Sequence, residues 1–220
     1  MTAPAAAAPP VPASPDLEVR GFEWTAGRKI FRCHSAAWGA TEFNGSREKG
    51  TEGRFRPFDD VDGKVVPTIF GADVNYAALT ETAFKGKGAN GTVYATTLRT
   101  QILCTLSPTR ALNLIDLTPP GLEALGLESE HVIETGTDAY GYTAEWAKVL
   151  YQHKCRPDGF VWISRLFGTG YSMILFGTRV SRSDLELIES PRALGVYPGF
   201  LEVQAEALRV GITVTPLGAG

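Results

Sequence analysis

"DGFVWISRLFGTGYSMILFG", residues 158–177, reads as two strands folded back on each other. "GFVWISR" (159–165) and "YSMILFG" (171–177) are rich in β-branched, aliphatic and aromatic side chains, and the glycine-containing "LFGTG" (166–170) between them is hairpin-like. Neighbouring antiparallel strands at this point set the expectation for the whole chain. One residue interrupts the apolar text: Val161, Trp162 and Ile163 run into Ser164. A serine there either closes a buried strand by bonding the backbone or faces a pocket.

Outward from this pair, further strands are expected at "GRKIFRCHS" (27–35), "KVVPTIFGA" (64–72), "TTLRTQILCTL" (96–106), "ALNLIDL" (111–117), "DLELIE" (184–189) and "GITVTP" (211–216). Pro67 suggests an edge or an irregularity in the second of these. "GRFRPF" (53–58) reads as a short strand stopped by Pro57, and "DDVDG" (59–63) as a turn. Asn75 is placed to cap a helix through "YAALTETAF" (76–84); other helices are expected at 119–127, 138–154 and 199–210. Strands outnumber helices and do not alternate with them regularly. The fold class is therefore α+β, with mostly antiparallel sheets and a few flanking helices.

The 220 residues are 44% hydrophobic and 20% charged, enough to bury a sizeable core. Residues 17–220 are read as a single domain, preceded by a Pro/Ala-rich disordered tail over 1–16. That tail lacks the charged start and unbroken apolar run of a secretory signal. No apolar stretch approaches the roughly 20 residues of a membrane span. A net charge of -3 argues against a generally basic nucleic-acid surface. Three scattered cysteines, Cys33, Cys104 and Cys155, do not make a disulfide framework, and the default is a reduced, cytoplasmic location.

Common site motifs are missing. No phosphate loop of GxxxxGK[ST] type occurs, and "GKGANG" (86–91) reads as a helix-terminating loop because it does not join a strand to a helix. His34 beside Cys33 and His153 near Cys155 lack a second pair at zinc spacing, so no metal is expected. Glu81 lies off the apolar stripe of its helix (Tyr76, Leu79, Ala83). Arg54 and Arg56 flank Phe55, and Arg32 sits in an otherwise apolar strand. A half-buried arginine wants a carboxylate or a phosphate, and structural ion pairing would satisfy each of these.

Taken in order, these pieces resemble a family. "GRFRPFDDVDGKVVPTIFGADVNYAALTETAF" is similar to the first half of the RES domain, named for an arginine, a glutamate and a serine, and "DGFVWISRLFGTGYSMILFG" to its second half. "IFRCHS" resembles the strand that opens the domain, and "AYGYTAEWAKVLYQHKCRPDGF" the helix before the serine strand. The resemblance covers roughly residues 28–180 and places the family's catalytic residues at Arg54, Glu81 and Ser164. Substrate-binding roles fall to Arg32 and to Phe70, which stands where the family often has tyrosine.

The resemblance implies an ADP-ribosyltransferase-like fold and a toxin of a toxin–antitoxin pair that degrades NAD by phosphorolysis or hydrolysis. NAD would be substrate, with no bound cofactor and inorganic phosphate as a co-substrate of the phosphorolytic route. It also implies an Xre-type helix-turn-helix antitoxin as partner. No direct nucleic-acid or membrane partner is expected, and a homo-oligomer is compatible with the sequence. The alternatives are an ADP-ribosyltransferase acting on a macromolecule, or a non-catalytic binding module, the latter raised by Phe70.

Overall fold

The structure, a computed structural model, describes residues 8–48, 53–87, 90–164 and 170–216. Along the chain run β1 (Gly21–Trp24), β2 (Ile30–Ser35), β3 (Thr68–Ala72), α1 (Asn75–Thr80), β4 (Thr92–Val93), α2 (Ala95–Leu98) and β5 (Gln101–Pro108). There follow β6 (Leu112–Asp116), α3 (Pro119–Ala124), α4 (Ser129–Val132), α5 (Tyr140–Tyr151), β7 (Gly159–Ile163) and β8 (Tyr171–Phe176). The chain ends with β9 (Leu185–Leu187), β10 (Arg192–Ala193), α6 (Gly199–Arg209) and β11 (Thr213–Val214).

Among the described residues the main sheet has the order β1-β6-β7-β8-β3-β2-β5-β10, with β9 also on β5. Within it β6 and β7 are parallel and the other pairs antiparallel. The expected α+β class with mostly antiparallel pairing is what the chain adopts. β7 and β8 pair over Gly159↔Leu175 to Ile163↔Tyr171, as the opening stretch suggests. The expected link between them falls mainly on residues 165–169, outside the described residues.

Side chains alternate across strands, so register decides what each face holds. Phe160, Ile174 and Phe70 lie opposite one another on one face, as do Trp162, Ser172 and Ala72. Part of that face packs with Phe55, Phe58 and the inner side of α5, where Trp146, Ala147, Leu150 and Tyr151 are buried at helical spacing. Edge-to-face rings bind it: Phe160–Phe176 at 4.9 Å and Phe55–Trp162 at 5.4 Å. Farther along, α1 and α6 cover a second cluster containing Leu79, Phe84, Leu103 and Val203. Val161, Met173 and Leu175 point to the other face and a third cluster. Gly159 has no room for a side chain, since a Cβ there would lie 1.9 Å from the Ile174 carbonyl oxygen.

Several local expectations give way to tertiary packing. Residues 53–56 form a tight turn closed between Gly53 and Arg56, not a strand. Phe55 sits there at φ 65 with its ring fully buried, so core burial offsets the left-handed backbone. α1 stops at Thr80 instead of continuing to residue 84, and Glu81 caps it. Asn75 is the first helical residue after Val74, and its Oδ1 accepts from the Tyr76 N–H. The start of the expected 96–106 strand is the helical turn α2, which buries Ala95 and Leu98. Pro67 precedes β3, which is internal between β8 and β2. In the stretch read as a tail, Val11 packs on the aromatic cluster and the Tyr142 hydroxyl donates to the Pro9 carbonyl. Cys33, Cys104 and Cys155 are free thiols. No helix among the described residues is long and apolar enough to cross a membrane.

Candidate active site

The sheet is incompletely zipped at one place. β3 pairs with β8 over five positions and β2 with β5 over six, but β2 and β3 meet at the single pair Phe31↔Ala72. Beyond it the strands part, and a cleft of about 690 Å³ opens between Cys33–Ser35 on one side and Thr68–Phe70 on the other. The 53–56 turn, the chain from Thr80 to Lys87, and the segment Thr135–Tyr140 complete its walls. A volume of this size is in the range of small-molecule sites.

Arg54 and Glu81 meet across the cleft, with Arg54 Nη1 3.5 Å from Glu81 Oε2. The Arg54 side chain is 9% exposed and that of Glu81 24%. The turn at 53–56 delivers the arginine because Phe55 is anchored below it, and the Arg54 guanidinium lies 5.9 Å from the Trp162 ring. Glu81 is held by the end of α1, where its N–H bonds the Ala77 carbonyl. Arg54 Nε finds no hydrogen-bond partner among the described residues, nor does the buried Thr68 Oγ1 on the facing wall. Phe70 presents a half-buried ring to the cleft and packs edge-on to Trp162 at 6.3 Å. Behind Phe70 a small recess reaches Ser172, walled by Cys33, Glu81 and Thr82.

Ser164 stands one side chain behind this wall. It is 1% exposed, its N–H bonds the Gly170 carbonyl, and its Oγ lies 3.4 Å from Thr80 Oγ1. Thr80 is the residue that lines the cleft. The serine therefore closes the strand and does not face the pocket as the second reading expects: it is not among the lining residues, and Thr80 stands between it and the cleft.

Arg32 also borders the cleft, but its charge is engaged elsewhere. Nη1 donates to the carbonyls of Ala40 (2.5 Å) and Gly39 (3.3 Å), and Nη2 to that of Glu42 (2.9 Å). Burial lowers its pKa to about 10, so it remains a cation at neutral pH. The guanidinium fixes the 39–42 loop, and gripping a ligand would require breaking these bonds. His34 Nε2 lies 3.2 Å from Cys104 Sγ. Burial raises the Cys104 thiol above its usual pKa and pushes Cys33 up to about 12, which leaves both as neutral, poor nucleophiles.

Sequence reasoning alone did not find Thr68, Thr80, Lys85, Lys87 or Tyr140, all of which line the cleft. Threonines carry no signal without a fold, and the lysines lie in a stretch that reads as a helix end. Together they give the cleft its sign: among the described residues, Arg32, Arg54, Arg56, Lys85 and Lys87 line it against one carboxylate, Glu81. In a chain of net charge -3, that gathering of cations favours an anionic ligand.

The family model of the RES domain matches residues 29–192, and the chain belongs to that family. Among solved structures, it is similar to a chain of the M. tuberculosis MbcT–MbcA toxin–antitoxin complex. The TM-score is 0.59 at 21% identity, over 84% of this chain and 92% of the other, a likeness of fold. No curated protein matches the sequence.

Proposed function

We propose that the cleft binds NAD and breaks its nicotinamide–ribose bond, and that the protein acts as the toxin of a toxin–antitoxin pair. One observation carries this reading: Glu81, the sole carboxylate among the described cleft-lining residues, faces a wall of cations in a chain of the RES family. The fold it shares with a chain of a toxin–antitoxin complex supports the biological role. The partner would be an Xre-type helix-turn-helix antitoxin that blocks the cleft.

The chemistry follows from the residues. When the C–N bond breaks, nicotinamide leaves as a neutral base with the bonding electrons, and the ribose C1′ gains oxocarbenium character. Glu81 stabilises that positive charge and holds a ribose hydroxyl. Arg54 pairs with the Glu81 carboxylate and holds it toward the cleft. The Phe70 ring packs against the nicotinamide, without the hydroxyl that a tyrosine would add. Water then bonds to C1′ through its oxygen and gives a proton to solvent, or an anionic oxygen of phosphate bonds there with no proton to lose. Ser164 supports Thr80 from behind and is a positioning residue.

The test is nicotinamide release from NAD by the purified protein, with and without inorganic phosphate, beside Glu81→Gln. Release that requires Glu81 and yields ADP-ribose or its phosphate ester agrees with the proposal. A labelled macromolecule as the product would make the protein a transferase. Silence of a folded, antitoxin-free protein would leave a binding module.

A further inference from the structure

The cations of the cleft are not equivalent. Arg32 is committed to three carbonyls and Arg54 to Glu81, while Arg56 Nη2 donates to the Ser46 carbonyl. Lys85 and Lys87 differ. Neither forms an ion pair among the described residues, and the Lys85 ammonium has only the Tyr140 ring, 5.2 Å away. Both line the cleft; Lys85 is exposed and Lys87 half-buried.

Their backbone is not loose. Between α1 and Lys87, Phe84 is fully buried in the second core cluster and its N–H bonds the Leu79 carbonyl. The Lys85 N–H bonds the Thr82 carbonyl, the Lys87 N–H bonds that of Phe84, and Gly86 supplies the positive φ of 73 that the turn between the lysines requires. An anchored turn thus sets two ammonium groups on the lining of the same cleft, neither with an ion-pair partner among the described residues. Glu81 at the end of α1 is four and six residues away in the chain, so the turn sets lysines and carboxylate at a fixed spacing.

We propose that Lys85 and Lys87 form the phosphate-binding end of the cleft and hold the diphosphate of the dinucleotide, with Arg32 serving only to shape the wall. This rests on the NAD reading above. A diphosphate offers each ammonium at least one anionic oxygen, and charge-assisted bonds of this kind are stronger than neutral ones. Glu81 repels a diphosphate and attracts a developing ribose cation. The lysines and the glutamate are thereby assigned opposite parts of one ligand.

The experiment is titration of the intact chain with ADP-ribose and, separately, inorganic pyrophosphate, for wild type, Lys85→Gln, Lys87→Gln, the double variant and Lys87→Arg. Lys154→Gln, an exposed lysine outside the cleft lining, controls for loss of general charge. Loss of about tenfold in affinity for Lys87→Gln, less for Lys85→Gln and more for the double variant is expected. Lys87→Arg should keep most of the binding, Lys154→Gln should match wild type, and the salt dependence should flatten in the double variant. In turnover, KM for NAD should rise far more than kcat falls. Lysine-dependent binding of both probes without nicotinamide release would sustain this inference and sink the NAD-cleavage reading. NAD cleavage with an unchanged KM in the double variant would do the reverse. Equal loss in Lys154→Gln, or no binding of either probe by wild type, would overturn the assignment.

Discussion

Two seams of the same sheet behave in opposite ways. Between β3 and β8 every residue from Thr68 to Ala72 has a partner, and the side chains on the site face merge into the aromatic cluster of Phe160, Trp162 and Phe176. Between β3 and β2 one pair forms and the strands then part. The first seam fixes β3 in space; along the second, among the described residues, β3 pairs only at Ala72 with β2 and at Thr68 with Asn44, and the cleft lies between. Polar groups do not divide in this way: among the described residues Thr68 Oγ1 and Arg54 Nε are unpartnered at the open side, and so are Ser172 Oγ on β8 and Trp162 Nε1 on β7. A closed seam supplies rigidity and an open one supplies a site, and β3 is the shared wall.

The comparison is broken most severely from the closed side. Phe160→Ala removes a fully buried ring that packs on both Phe55 and Phe176, and should cost about 3–5 kcal/mol in a denaturant titration. Loss of catalysis should follow the loss of fold. On the open side, Glu81→Gln should lower nicotinamide release by roughly 10²–10³-fold while leaving thermal stability close to wild type. A variant that lost both together would show that Glu81 is a structural ion-pair partner of Arg54.

Thr68→Val sharpens the contrast at smaller scale. Its hydroxyl is buried without a partner, so removal should leave the free protein unchanged or stabilise it by up to about 1 kcal/mol. The same change should weaken ADP-ribose binding several-fold if the hydroxyl serves a ligand.

The smallest expected effect is in pH. Burial, aided by Arg32, holds the folded-state pKa of His34 below its usual 6.5. The unfolded chain therefore binds the proton first, and stability falls as pH drops below about 6.5. Replacing His34 with glutamine should flatten this part of a melting-temperature profile. Glu189, lowered to about 2 chiefly by its bond from Lys29, acts separately: its contribution is present above about 4.5 and fades as pH falls below that value.

The sequence made the closed seam legible and left the open one obscure. Residues 159–163 and 171–176 are long apolar runs with glycine nearby, and local pattern suffices for them. Residues 53–56 mislead because the reason for their conformation is Phe55 binding to Phe160 and Trp162, far off in the chain. Arg54 and Glu81 were reached through family resemblance; nothing local in either segment says that they meet. The resemblance gives Arg32 a substrate-binding role, but its partners are backbone carbonyls of a loop, which no side-chain pattern encodes. Lys85 and Lys87 were hidden in a turn that reads as a simple helix end.

The measurement that bears most directly on the central claim is a crystal structure of Glu81→Gln with NAD. The account predicts NAD in the cleft between β2 and β3, its nicotinamide ribose within hydrogen-bond reach of residue 81 and the nicotinamide ring against Phe70. NAD bound elsewhere on the fold, or a cleft that excludes it at saturating concentration, would contradict the account.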